Sequence, residues 1–356
     1  MALRRKLLIV FLALSLAIAL CACSESGPPD PAQPGPYQVG EIAGIKVIDP
    51  SRQNRNVSVR LWYPAIVPEE SAGNPPIDLE ADTSGAPYPV IVMSSKVGRI
   101  FGTHLATHGY VIVGVDFQDS MPNWGIWLID FPVDQAFALE QVIASPPAGL
   151  EGMLDDEKAG AAGYSFDGYD ALALSGARID PEYYKSKCQT AIPESPEPEA
   201  WWIDYICNMS GGWETFEERA ANLSAGSDDG LWQPITSPLI KAVVTMAPEG
   251  AWLFGPRGLA AADRPALIVD GTKDDINYYN LEAVTIFEQL GSEEKTLISF
   301  IDQDHFMIFN QEQVSLMKML MTAFFGYHLK GEQEYLPYFS KAYINDQPGL
   351  AWGVYP

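Results

Sequence analysis

Histidine is scarce in this chain, 4 in 356 residues, and basic side chains are outnumbered, 22 Lys and Arg against 46 Asp and Glu. The resulting formal charge of −24 excludes a surface that holds nucleic acid or anionic lipid head groups, and argues against a strongly anionic polymeric substrate. Cysteine is as rare, with 4 residues. Two of them, Cys188 and Cys207, lie far from the amino terminus, and in an oxidising compartment a pair this close in sequence is a disulfide candidate. Internal repeats are absent, and no membrane span follows the first residues. With 47% hydrophobic residues the chain is nonetheless globular rather than disordered.

The first residues read as an export signal. Arg4, Arg5 and Lys6 form a positive start, and Leu7 to Leu20 carries no charge. That run is short for a transmembrane helix, which needs roughly 20 apolar residues, and suits a signal peptide. It closes on Leu20-Cys21-Ala22-Cys23, which resembles the lipobox of bacterial lipoproteins, with Cys23 as the residue to be lipidated. Residues 1–23 are then a lipoprotein signal, and losing its three basic residues brings the charge to about −27. Residues 24–37, rich in Pro and Gly, read as a tether that can bury nothing. The expected location is the bacterial cell envelope outside the cytoplasm, anchored to a membrane by lipid. The remaining residues, 38–356, suit one large α/β unit with an insertion.

In that unit Ile45 to Asp49 and Val57 to Tyr63 read as an antiparallel strand pair, with Arg55-Asn56 near the turn. From Tyr88 onward the apolar runs become continuous, as in parallel strands buried on both faces: Val90 to Met93, Tyr110 to Val115, Ala159 to Gly163, Ala242 to Met246, Ala266 to Val269 and Thr296 to Ile301. Helices are expected at Thr103 to His108, ended by Gly109, at Phe131 to Ala144, at Ala171 to Ala177, near Leu281 to Leu290 and at Gln313 to Tyr327. This alternation predicts a mostly parallel, doubly wound α/β sheet with an antiparallel amino-terminal strand pair. Residues 180–238, rich in Pro, Glu and Trp, interrupt it and read as an inserted cap.

The chemistry centres on Gly163-Tyr164-Ser165-Phe166-Asp167-Gly168. A nucleophilic serine needs a tight strand-to-helix turn, flanked by glycines two residues away. Gly163 is in place, but Asp167 holds the second position and glycine comes one residue later. Serine also needs a base, itself oriented by an acid, and α/β hydrolases place them in the order Ser, acid, His. Asp274 follows the strand Ala266 to Val269, with Asp275 and Asp270 as weaker choices for the acid. His305 follows the strand Thr296 to Ile301 and is the expected base; His328, near Lys330, reads as a solvated helix-end residue. His104 and His108, at i and i+4, lack the glutamate of a metalloprotease motif and read as structural. Asp302, Asp304 and His305 are not read as a metal cluster, and no metal or cofactor is expected. An oxyanion needs two N–H donors, expected from Phe166 and from Lys96 or Val97 in the loop Ser95 to Gly98. Trp124, Trp127 and Phe101, with Trp201 and Trp202, are candidates for an apolar pocket.

Together these pieces resemble the bacterial branch of α/β hydrolases related to platelet-activating-factor acetylhydrolase and dienelactone hydrolase. The resemblance rests on Asp49-Pro50-Ser51-Arg52, Leu61-Trp62-Tyr63-Pro64, His108-Gly109-Tyr110-Val111, Asp134-Gln135, Gly163 to Gly168, Gly271-Thr272-Lys273-Asp274 and His305-Phe306, in family order. It covers most of residues 47–309 but not the insertion. It implies a serine esterase acting on small or lipid-like carboxylic esters without metal or cofactor, and a monomer is expected. Relatives carry His-Gly where this chain has Ser95-Lys96. That departure and Asp167 keep two other readings open, a surface-tethered binding protein with a degenerate site and a serine peptidase of the same fold.

Overall fold

The computed structural model describes residues 27–66, 79–117, 124–208, 212–221 and 226–356. Their backbone forms a nine-stranded sheet in the order β1-β2-β4-β3-β5-β6-β7-β8-β9. The strands are β1 Gln38–Asp49, β2 Arg55–Ala65, β3 Tyr88–Ser94, β4 Val111–Val115, β5 Leu154–Tyr164, β6 Ile240–Met246, β7 Ala266–Gly271, β8 Lys295–Phe300 and β9 Leu350–Trp352. From β4 through β8 all neighbours are parallel, whereas β1, β2 and β9 join antiparallel at the two edges. The expected mostly parallel α/β architecture is therefore present.

Both faces of the parallel strands are covered, which is why they read as unbroken apolar runs. Val90, Val92, Val111, Val113, Ala161 and Val243 pack toward Leu128, Leu139, Leu172 and Leu253 on one side. Ile91, Met93, Ile112, Ala162, Val244 and Leu267 pack toward Phe101, Leu105, Leu320 and Phe324 on the other.

Several elements differ from expectation for identifiable reasons. The turn between β1 and β2 lies at Pro50 to Asn54, with Gln53 and Asn54 both at φ 57. Arg55 and Asn56 already pair with Asp49 and Ile48. The helix expected from Thr103 begins at Ser95 and runs through Ser95–Val97, Gly98–Gly102 and Thr103–Thr107. Its glycines resemble a loop in sequence, yet they serve packing. A Cβ on Gly98 would lie 2.4 Å from Trp62 Cζ3, and one on Gly102 3.3 Å from Trp62 Cε3. Gly109 does end it, at φ 78. Strand β9 and the helix Ala251–Leu259 were not anticipated.

His328 is not solvated. Its side chain is 9% exposed and packs against Phe324, Tyr327 and Phe339, so burial lowers its pKa to about 4. The proline-rich segment, as far as it is described, does not hang free either. Tyr335 donates to Pro29 O at 2.6 Å, His104 and His108 bind Pro31 O and Gln33 O at 3.0 and 2.8 Å, and Gly35 N–H donates to Thr107 Oγ1 at 2.8 Å. Proline lacks an N–H, but its carbonyl still accepts, and the body supplies the donors. The two histidines are thus structural. Residues 1–26, with Cys23, lie outside the described residues. Among the described residues no helix is long and apolar enough to cross a membrane.

The insertion contributes three helices, Pro181–Thr190, Ala200–Asn208 and Trp213–Ala220. Tyr184, Trp202, Ile206, Phe216 and Trp232 are buried in the same core as Trp252 and Phe254. Ion pairs Arg219–Asp130 and Arg257–Asp180 bind it to the rest of the chain. Cys188 and Cys207 form a disulfide between the first two helices, with a sequence separation of 19. A loop of that length stabilises by about 3 kcal/mol in the chain-entropy model. Replacing both cysteines with serine is accordingly expected to lower the thermal midpoint by several degrees, measured by circular dichroism, and an unchanged midpoint would contradict this estimate.

Candidate active site

Strand β5 ends in small residues because its neighbours press on it. A Cβ on Gly160 would lie 2.6 Å from Phe325 Cε1, and one on Gly163 only 1.7 Å from the carbonyl oxygen of Asp167. The chain then turns sharply. Ser165 sits at φ 59, ψ −122 and caps the helix Phe166–Leu174. A non-glycine residue there costs on the order of 1–3 kcal/mol, so the surroundings must hold it. They do so through Ser165 N–H to Met246 O at 2.9 Å and Gly168 N–H to Ser165 O at 2.7 Å.

This geometry explains the displaced glycine. The helix approaches β6 at Gly168, whose added Cβ would lie 3.0 Å from Thr245 Oγ1 and 3.1 Å from Met246 O. Position 167 faces elsewhere. Asp167 is buried, and its Oδ2 accepts from Ser94 Oγ at 2.5 Å. Ser94 Oγ in turn accepts from Val97 N–H at 3.2 Å, capping the helix after β3. Asp167 therefore ties the serine turn to the loop beyond β3.

The carboxyl ends of β7 and β8 bring two more side chains to Ser165. Asp274 Oδ2 receives His305 Nδ1 at 2.7 Å, and His305 Nε2 lies 2.9 Å from Ser165 Oγ. Asp274 Oδ1 accepts Ile276 N–H and Asn277 N–H at 2.9 and 2.7 Å, which fixes the carboxylate. The backbone that carries the imidazole is held by Tyr164 Oη, which donates to the His305 carbonyl oxygen at 2.7 Å. The two loops touch closely, since a Cβ on Gly271 would lie 2.3 Å from Gln303 O. With the Nδ1 proton directed at Asp274, Nε2 is left to accept from the Ser165 hydroxyl.

The three carboxylates weighed for this role separate cleanly. Asp275 is exposed. Asp270 is fully buried and binds Gly271 N–H at 2.7 Å, and burial together with nearby Asp274 raises its pKa well above the ordinary range. Only Asp274 of the three touches the imidazole. Asp302 pairs with Lys273, and Asp304 accepts from Phe306 N–H.

No family model and no curated protein sequence matches the chain.

The expected oxyanion donors occupy different situations. Phe166 holds the first helical position after Ser165. The Val97 N–H is taken by Ser94 Oγ, which leaves Lys96 as the remaining expected donor of that loop. Lys96 lies in a helical turn, Ser95–Val97, and needs none of glycine's freedom at positive φ. Its ammonium stands over the Phe117 ring at 4.7 Å, while Ser95 Oγ binds Asp116.

Of the expected pocket residues, Trp127 packs beside the site, its ring 6.1 Å from that of Phe166 and 5.1 Å from that of Phe117. Phe101 is a correction. It is fully buried on the opposite face of the sheet among Trp62, Ile91 and Tyr110, because the helix after β3 packs there. The side chain of Trp124 lies outside the described residues, Trp202 is buried against Trp252 at 4.9 Å, and Trp201 is 43% exposed. Two aromatic side chains not taken as pocket residues from sequence follow the histidine: Phe306, whose ring lies 5.9 Å from that of His305, and Phe309, stacked on Phe306 at 6.3 Å, are 56% and 78% exposed. Two aromatics, one and four residues after the base, were the available signal.

Burial raises the pKa of Asp167 to about 7, against the Ser94 hydrogen bond and the Lys96 charge. The folded chain thus binds this proton more tightly than the unfolded chain, so Asp167's contribution to stability is greatest below pH 4 and declines as pH rises toward 7. Asp167→Asn keeps an acceptor for Ser94 and removes the charge. Its thermal midpoint is expected to exceed that of the wild type at pH 8, with the gap closing at pH 4; a gap independent of pH would contradict this account.

Proposed function

We propose that the chain is a serine hydrolase of the α/β-hydrolase type that cleaves carboxylic esters through an acyl-enzyme. The observation that carries the reading is the Ser165–His305–Asp274 relay, with contacts of 2.9 and 2.7 Å. It stands at the carboxyl ends of β5, β7 and β8, where ligands bind in open α/β sheets, and the strand order is compatible with that fold.

In this mechanism His305 Nε2 takes the Ser165 proton as Oγ attacks the ester carbonyl, and Asp274 holds the ring in the required tautomer and faces the imidazolium that forms. The Phe166 and Lys96 N–H groups receive the oxyanion. The imidazolium then protonates the departing alcohol, and a water activated by the same nitrogen releases the acid. Trp127, Phe117, Phe306 and Phe309 favour small or lipid-like apolar esters, and the acidic chain disfavours anionic ones. The helical Lys96 and the Ser94–Asp167 contact supply a structural reason for both departures from the family pattern, which weighs against a degenerate binding protein. A disulfide on the insertion suits an exported protein, and we extend the proposal to a monomeric cell-envelope lipoprotein anchored at Cys23.

Two experiments test this. Wild type is expected to label with a fluorescent phosphonate and to hydrolyse p-nitrophenyl esters of two to twelve carbons, with both lost in Ser165→Ala; a folded wild type that does neither rules the proposal out. Expressed with its full amino terminus in a bacterium, the wild type is expected in the membrane fraction and Cys23→Ala is not; equal partitioning removes the anchor.

A further inference from the structure

The two N–H groups expected to receive the oxyanion belong to different parts of the chain. Phe166 follows β5 and Lys96 follows β3, and these strands are neighbours, with Val92 opposite Ala161. Each residue sits in the first turn of a helix that starts where its strand ends, Phe166–Leu174 and Ser95–Val97. Paired strands run about 4.8 Å apart, so the two turns lie side by side. Nearness alone does not fix one donor relative to the other. A buried side-chain bond does. Asp167, directly after Phe166, accepts from Ser94 Oγ at 2.5 Å, and Ser94 Oγ takes the Val97 N–H at 3.2 Å. Both residues are buried, Asp167 at 7% and Ser94 at 0% exposure. A serine hydroxyl has a single proton. While its oxygen accepts from Val97, that proton goes to Asp167, so position 167 must offer an acceptor.

The loop after β3 is held from its other side as well. Ser95 Oγ donates to Asp116 Oδ1, just past β4, and Asp116 Oδ2 accepts from Ser58 Oγ on β2 at 3.0 Å. The Lys96 ammonium stands 4.7 Å from the centre of the Phe117 ring, which lies 6.3 Å from the ring of Phe166. These contacts close a circuit. It runs from Phe166 to Phe117, on to Lys96, back along the chain to Ser94, and across to Asp167 beside Phe166.

Resting on the ester-hydrolase reading, we propose that Asp167 is a positioning residue of the oxyanion hole, which through Ser94 sets where the Lys96 N–H stands relative to the Phe166 N–H. Both donors act on the charge that develops as Ser165 attacks, so their spacing governs the transition state more than substrate binding. A misplacement of about 1 Å costs on the order of a hundredfold in rate. The glycine that usually holds this position shapes the turn but has no side chain with which to tie it to β3.

The test compares kcat and KM for p-nitrophenyl butyrate, and inhibition by a trifluoromethyl ketone, in wild type, Ser94→Ala, Asp167→Leu, Asp167→Asn and the double variant Ser94→Ala with Asp167→Leu. The ketone adds to the serine and places an oxyanion on the same donors. Ser94→Ala and Asp167→Leu are each expected to lower kcat between about tenfold and a hundredfold with KM little changed, and to weaken the ketone by a similar factor. Because both break one tie, the double variant is expected to be no slower than the slower single one. Asp167→Asn keeps an acceptor for Ser94 and is expected to recover most of the rate. Given an active wild type, single variants within about threefold of it in kcat, a loss confined to KM, losses that multiply in the double variant, or a folded Asp167→Asn as slow as Asp167→Leu each overturn the role of Asp167 alone. Should Asp167→Leu fail to fold by circular dichroism, an unchanged kcat in Ser94→Ala overturns it. A folded wild type without turnover or phosphonate labelling overturns both this inference and the esterase reading.

Discussion

The carbonyl of Asp167 presses so closely on Gly163 that even a methyl group there would collide with it at 1.7 Å. That contact makes the turn at Ser165 possible, and most of the site follows from it. A tight turn places the serine backbone at positive φ, where its hydroxyl stands clear of the helix that follows and meets His305. It also aims the Asp167 side chain at Ser94, so the end of β3 and the serine helix are joined by one buried hydrogen bond. Met246 O, receiving the Ser165 N–H, extends the same support to β6.

Around this turn the chain concentrates buried acids: Asp167, Asp170, Glu249, Asp270, Asp274 and Glu282 all lie at or below 7% exposure. So many carboxylates cannot all be charged in one apolar region. The fold separates them by hydrogen bonding. Asp274 accepts two backbone N–H groups and the imidazole, whereas Asp270 accepts one backbone N–H and Glu249 one phenol. Burial pushes Asp270, Glu282 and Glu249 toward their protonated forms. The same apolar setting that strengthens the contact between Asp274 and His305 thereby keeps competing charge away from it.

The sheet was legible because parallel strands covered on both sides must be continuously apolar, and the residues of the proposed relay because they fall just after such strands. Asp274 and His305 were found from position alone. What escaped reading depends on partners distant in sequence. Gly98 and Gly102 look like a loop until Trp62 is known to lie against them. Phe101 looks like a pocket residue until its helix is assigned to the far face. His328 sits beside a lysine in sequence yet packs under Phe339. The offset glycine at 168 was visible, but its cause, the approach to Thr245, was not.

The fastening of the amino-terminal segment has a directional consequence. The helix that begins at Ser95, by the carboxyl end of β3, finishes at Thr107, close to the start of β4, so Gly35 and Gln33 are bound at the end of the sheet opposite Ser165. From Pro29, already tied to Tyr335, six residues back to Cys23 span at most about 20 Å, against roughly 50 Å if the chain were free back from Tyr37. On the proposal that Cys23 carries the anchor, the leash is short and leaves from the rear, and Ser165 looks outward, toward what arrives from the medium rather than toward the surface that carries the chain.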